Sequence, residues 1–183
     1  ARDGLVMDGV IMRPPNFDPK NQYPIINFVY GEPWGQTAQD DWGDSNYLWH
    51  VLMTQRGFVV STVDNRGTRA PRGRTWRRSV YGALGVLASR DQSDALTAMA
   101  ERWPYLDMDR VGMWGHSGGG SMTLNMLFRY PQQYHVGVSI APVPDQRLYD
   151  TIYQERYSGL LEQYEDGYRQ GSPINFASGL EGK

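Results

Sequence analysis

The sequence predicts an open α/β sheet of mostly parallel strands, and three observations carry that prediction. Short apolar runs bounded by glycine or proline alternate with stretches whose apolar residues recur every three or four positions, the pattern of strands joined by crossover helices. The stretch Gly115-His116-Ser117-Gly118-Gly119 sits between a strand-like run and a helical one, with the G-x-S-x-G spacing of a sharp strand-to-helix turn. Four breaks then fall at carboxyl ends of strands, where open sheets collect their sites: Tyr30-Gly31, Asn65-Arg66-Gly67, the turn at Ser117, and Ala141-Pro142-Val143.

The elements follow in order. Leu5 to Met12 is apolar with Asp8 and Gly9 interrupting, which suits an antiparallel edge strand ended by Pro14-Pro15. After a polar loop to Tyr23, Pro24 to Tyr30 reads as a strand buried on both faces. A loop rich in Gly, Trp and acids runs to about Asp44. Ser45 is the expected cap of a helix through Tyr47, Leu48, His50, Val51, Leu52 and Gln55, with Gly57 closing it and His50 on the periphery. Phe58 to Asp64 is the next buried strand, followed by a long loop. A helix is expected from Arg90 to about Arg102, with Ala95, Leu96, Met99 and Ala100 inward. Arg110 to Trp114 is a strand, and the helix after the turn runs to about Arg129 with Leu124, Leu127 and Phe128 inward. Pro131 stops it, and His135 to Ala141 is the last strand.

The totals bound what these elements can do. At 183 residues, 40% apolar and 21% charged, the chain has the size and composition of one globular domain. No apolar run approaches the roughly 20 residues of a membrane helix, and no signal peptide is visible, although Ala1-Arg2-Asp3-Gly4 reads as a chain entered partway through. The absence of cysteine excludes thiol nucleophiles and disulfides. Three scattered histidines show no metal-ligand spacing, so neither a metal nor a cofactor is expected. A net charge of −2 argues against bulk nucleic-acid binding. Seven arginines between Asn65 and Arg90, with no acid among them, form either an anion- or RNA-binding patch or side chains that pair with carboxylates of a neighbouring domain or stay solvated.

The turn at Ser117 carries the chemistry. Small residues two before and two after the serine allow a strained elbow that exposes its hydroxyl as a nucleophile. A glycine-rich turn into a helix can also cradle a phosphate, and the motif alone leaves both readings open.

Over nearly its whole length the chain resembles the prolyl oligopeptidase family of serine peptidases, in particular the catalytic domain of its dipeptidyl peptidase IV branch. The resemblance rests on Tyr23-Pro24, Val29-Tyr30-Gly31, Asp64-Asn65-Arg66-Gly67-Thr68, Leu84-Gly85, Asp91-Gln92, Asp109-Arg110-Val111, the Ser117 elbow, Ala141-Pro142-Val143, and Tyr149 through Gly159. It implies an α/β-hydrolase fold holding the first and central strands of the sheet, with the later strands missing. It implies Ser117 as the acyl-forming nucleophile, with the Tyr30 phenol and the Gly118 N–H as oxyanion donors. It further implies a proline-accepting pocket lined by Gly118, Val143, Gln146, Tyr149 and Tyr153, a peptide substrate, and a periplasmic or secreted setting. The relatives carry tyrosine where Gly118 stands and tryptophan where Gln146 stands, so the pocket is expected to be wider and more polar, accepting alanine or another residue besides proline.

A serine nucleophile needs a base and an orienting acid. His50, His116 and His135 are all poorly placed for that role, and the family's Asp and His follow the serine on later loops. The expectation is therefore a partial catalytic domain, inactive alone and prone to self-associate or form a homo-oligomer through its uncovered apolar edge. An esterase of the same fold, or a binding module without a triad, are the competing readings.

Overall fold

A computed structural model of the chain describes residues 1–43 and 45–181, so Asp44, the end of the expected loop, lies outside the described residues. Strands β1 (Gly9–Met12), β2 (Tyr23–Phe28), β3 (Val59–Val63), β4 (Leu106–His116) and β5 (Val136–Ile140) form one sheet in the order β1-β3-β2-β4-β5. β1 pairs antiparallel with β3 at one edge, while the β3–β2, β2–β4 and β4–β5 pairings are parallel. Parallel neighbours need crossovers. These are α1 (Tyr47–Gln55) between β2 and β3, α2 (Gly73–Arg78) and α3 (Val86–Arg102) between β3 and β4, and α4 (Gly118–Arg129) between β4 and β5. Helices α5 (Thr151–Ser158) and α6 (Leu161–Gly171) follow. No helix among the described residues is long and apolar enough to cross a membrane.

Side-chain alternation along the strands sends residues to opposite faces. Ile25, Val111 and Met113 face Ala88 and Leu96 of α3 and Met122 and Met126 of α4, forming the main core. On the other face, Ile26, Trp114, Val136 and Val138 line an apolar trough of about 650 Å³, bordered by Trp49. Helix α1 contacts β3 and β1, and on this face Val136, Val138 and Ile140 of β5 remain exposed.

That asymmetry explains where the sequence reading and the structure differ. Asn46, not Ser45, caps α1, because its carbonyl accepts the His50 N–H at 3.0 Å. Leu48 and Leu52 are exposed, whereas His50 and Thr54 are buried. His50 is not peripheral: its ring packs 5.0 Å from Phe28 and 5.6 Å from Trp114. On α4 the fully inward residues include Met122 and Met126, with Leu124 and Phe128 only half-buried, because the helix packs against α3 as well as the sheet.

The arginine-rich loop also contains more structure than expected. Trp76 is buried and donates from Nε1 to Thr68 Oγ1 at 3.2 Å, anchoring the short helix α2. Helix α3 begins at Val86, four residues before Arg90, since Gly85 takes a left-handed φ of +85° at its cap. The arginines of this segment largely serve carboxylates and rings of the same chain. Arg66 grips buried Asp91 at 2.5 Å and Asp3 at 2.7 Å. Arg72 pairs with Asp8 at 2.9 Å, and Arg69 and Arg78 lie over Trp34 and Tyr81.

Candidate active site

The serine turn is built by β2, β4 and β5 together. β4 ends at His116, and Ser117 takes φ 58° and ψ −117°, a backbone conformation that L residues adopt only under constraint. Two hydrogen bonds and the start of a helix hold it there. The Ser117 N–H donates to the Ile140 carbonyl at 2.9 Å, its carbonyl accepts from the Ser121 N–H at 3.0 Å, and α4 starts at the next residue. A Cβ at Gly115 or Gly119 would collide with the Val29 carbonyl oxygen, so glycine at both positions is what lets the elbow seat against the end of β2.

The same close approach fixes Tyr30. The Val29 N–H donates to the Trp114 carbonyl at 3.1 Å, and Gly31, at φ +81°, then turns the chain. The Tyr30 ring therefore comes to rest beside the elbow, with Cε1 3.5 Å from where a Gly118 Cβ would stand. Past β5, Ala141 has φ 45°, a second strained residue one position beyond the strand end.

Ser117, Tyr30 and Gly118 line a cavity of about 80 Å³. Val143, Gln146, Tyr149 and Tyr153 line it too, so every residue singled out from the sequence borders one space. The far wall is held by short bonds. Ser121 Oγ accepts from the Val143 N–H at 2.8 Å, and the Gln146 N–H donates to Ser172 Oγ at 2.8 Å. Asp150 caps α5 by accepting from the Tyr153 N–H at 2.8 Å, and the Tyr149 and Tyr153 rings meet edge to face at 5.3 Å. Burial pushes the Tyr153 phenol well above its usual range, with the charges of Tyr30 and Glu32 adding to it.

Six further residues line the cavity that sequence reasoning did not assign to it: Glu32, Leu84, Gly85, Ser121, Met122 and Asn125. Ser121 and Asn125 stand four and eight positions after Ser117, one face of a helix, so the 3.6-residue period could have found them. Glu32 carried no such signal. It is buried, its carboxyl accepts from the Gly85 N–H, and desolvation raises its pKa to about 8, with the charge of Asp91 contributing in the same direction.

Among the described residues no histidine lines this cavity. His116 is exposed beside the serine. His135 stands at the amino end of β5, where its Nδ1 accepts from the Val111 N–H at 3.4 Å, and the register of β4 and β5 puts it five residues before Ile140, the partner of His116. His50 packs against the rings of Phe28 and Trp114, which also touch each other.

The sequence model of the Prolyl oligopeptidase family matches residues 45–181. A protein of Talaromyces marneffei named "Probable dipeptidyl-aminopeptidase B" is 37% identical over 177 residues, which is 96% of this chain and 19% of that protein. A "Probable dipeptidyl peptidase 4" of Aspergillus flavus is 39% identical over 156 residues, 85% of this chain and 20% of its own length. The crystal structure of Porphyromonas gingivalis dipeptidyl peptidase 4 superimposes with a TM-score of 0.92 at 38% identity, covering 99% of this chain and 25% of that one. The chain thus spans about a fifth of the length of the curated relatives it matches. Its sheet and helices are those of an α/β-hydrolase domain.

Proposed function

The chain belongs to the prolyl oligopeptidase family, and on that premise we propose that it is the serine-bearing part of a dipeptidyl-peptidase-like serine peptidase. The substrate is a peptide cleaved near its amino terminus, after proline or another small residue such as alanine. One observation carries this reading: the strained Ser117 opens, together with Tyr30 and Gly118, onto a small cavity walled by Val143, Tyr149 and Tyr153.

Ser117 Oγ attacks the scissile carbonyl carbon and gives its proton to a general base. The carbonyl oxygen becomes an oxyanion, for which the Tyr30 phenol and the Gly118 N–H supply two donors, each worth about 2.7–4 kcal/mol in the transition state. Collapse breaks the C–N bond, and the leaving amine takes the proton. Water then hydrolyses the acyl ester and regenerates the serine. The base and its orienting acid lie outside these 183 residues, since no histidine among the described residues lines the cavity. The isolated chain accordingly turns over no peptide.

In the whole protein a fluorophosphonate probe labels Ser117. Ser117→Ala abolishes the label and lowers hydrolysis of Xaa-Pro and Xaa-Ala anilides by at least about 10⁴-fold. Labelling that persists in Ser117→Ala removes this serine as the nucleophile.

A further inference from the structure

Acyl transfer gives roles to Ser117, Tyr30 and Gly118 and none to Glu32, yet Glu32 is built into the turn that joins the two oxyanion donors. Its carbonyl oxygen stands 3.6 Å from where a Gly118 Cβ would be, beside Tyr30 Cε1 at 3.5 Å. The segment from Tyr30 to Glu32 therefore folds over Gly118, with Gly31 at φ +81° making the bend. The Glu32 side chain is fixed separately. A Cβ at Gly67 would come within 2.9 Å of the Glu32 Cβ, and Glu32 Oε1 accepts from the Gly85 N–H just ahead of α3. That bond ties the Tyr30 turn to a helix packed against both β4 and α4.

The surroundings of the carboxyl favour its neutral form. Glu32 is 6% exposed, and its Oε2 has no hydrogen-bond partner among the described residues. Asp91 of α3 acts on it with like charge, and Arg66, in the loop after β3, is engaged by Asp91 and Asp3. Tyr30, Tyr149 and Tyr153 share the cavity wall with it, and α4 adds only the uncharged Ser121, Met122 and Asn125. His116, beside the serine, is exposed. Burial raises the Glu32 pKa to about 8 against the pull of the Gly85 N–H, and Asp91 adds to the rise. Burial also pushes the Tyr153 phenol above its usual range, so it stays protonated where Glu32 ionises.

We propose, resting on the peptidase reading above, that Glu32 is a positioning residue of the oxyanion site: its neutral carboxyl pins the Tyr30 turn over Gly118, and its ionised form opposes the oxyanion. It acts through Tyr30 and Gly118 and needs no contact with the substrate. The tetrahedral intermediate is negative where those two groups donate, and a second negative charge in the same buried space raises its energy. Loss of the Gly85 bond acts differently, by letting a donor drift from the place where the oxyanion forms.

The test measures kcat of the whole protein on one Xaa-Pro anilide for wild type, Glu32→Gln and Glu32→Met. Both substitutions remove the ionisation, and only glutamine keeps an acceptor for the Gly85 N–H. Between about pH 7 and about pH 9, wild-type kcat is expected to fall about tenfold more than that of either variant, as the carboxyl goes from mostly neutral to mostly ionised. Any fall caused by the general base or the substrate amine is common to all three. At about pH 7, Glu32→Met is expected to show a kcat at least about tenfold below that of Glu32→Gln, with KM within about twofold. An alkaline fall of equal size in wild type and a variant, or equal kcat in the two variants at neutral pH, overturns the proposal. Should one variant fail to fold, the other decides against wild type. Should both fail, a level wild-type kcat overturns the proposal and a fall of about tenfold supports it. If no anilide is cleaved and a fluorophosphonate leaves Ser117 unlabelled, the peptidase reading itself fails and this proposal falls with it.

Discussion

Strand β4 borders two hollows of opposite character. The larger, about 650 Å³, runs along its open face between Ile26, Trp114, Val136 and Val138 and is almost wholly apolar. The smaller, about 80 Å³, lies where the strand ends and contains Ser117, Tyr30 and Glu32. Size and chemistry run in opposite directions here, for a physical reason. The large hollow is a sheet face on which β5 side chains stay exposed, and its apolar lining is what any parallel sheet presents to a covering helix. The small one sits where backbone regularity breaks, so N–H groups, a hydroxyl and a carboxyl converge without the ladder satisfying them.

Three substitutions sharpen or break that contrast. Met126, 0% exposed on the covered face, is expected to be the most consequential for folding. Met126→Ala lowers stability by about 2–5 kcal/mol, read from the urea unfolding midpoint of the chain. A loss below about 1 kcal/mol would show that the α4 face is no better packed than the open one. At the small hollow, Tyr30→Phe removes one oxyanion donor. In the whole protein it lowers kcat for a dipeptide anilide by about 10²–10³-fold and leaves fluorophosphonate labelling of Ser117 in place. An unchanged kcat assigns the phenol a packing role only.

The smallest effect on stability belongs to the open face. Val138 is 55% exposed on β5, and Val138→Lys changes unfolding free energy by less than about 0.5 kcal/mol. It nonetheless reduces self-association of the isolated chain in light scattering, because a lysine interrupts the apolar edge and blunts strand-to-strand contact. A wild-type chain that stays monodisperse at high concentration would mean that the trough does not drive association.

Much of this was legible in the residues. The order of strands and crossover helices followed from periodicity, and the elbow followed from glycine spacing, since both depend on contacts within a few positions along the chain. Resemblance to a family then named Tyr30, Val143, Gln146, Tyr149 and Tyr153, which come from separate segments and line the same cavity. The inward face of α1 was not legible. Periodicity placed the helix but put His50 on its periphery, whereas His50 packs against Phe28 and Trp114 of the sheet while Leu48 and Leu52 are exposed. Helix α2 escaped for a related reason: one tryptophan buried against Thr68 holds it, in a run of arginines that otherwise reads as loop.

The chain by itself determined where the backbone must bend and which residues alternate from face to face. The two- and 3.6-residue periods and the glycine spacing of the turn are read within a few positions of the chain, whereas the Val29 carbonyl that Gly115 and Gly119 make room for is a tertiary contact. Tertiary structure alone decided which face of the sheet is covered, which arginines meet Asp91, Asp3 and Asp8, and that Glu32 is buried beside Ser117 with one oxygen unmatched. Burial and hydrogen-bond satisfaction are sums over segments far apart in sequence. For Glu32 those segments are the end of β2, the turn before α3 and the face of α4.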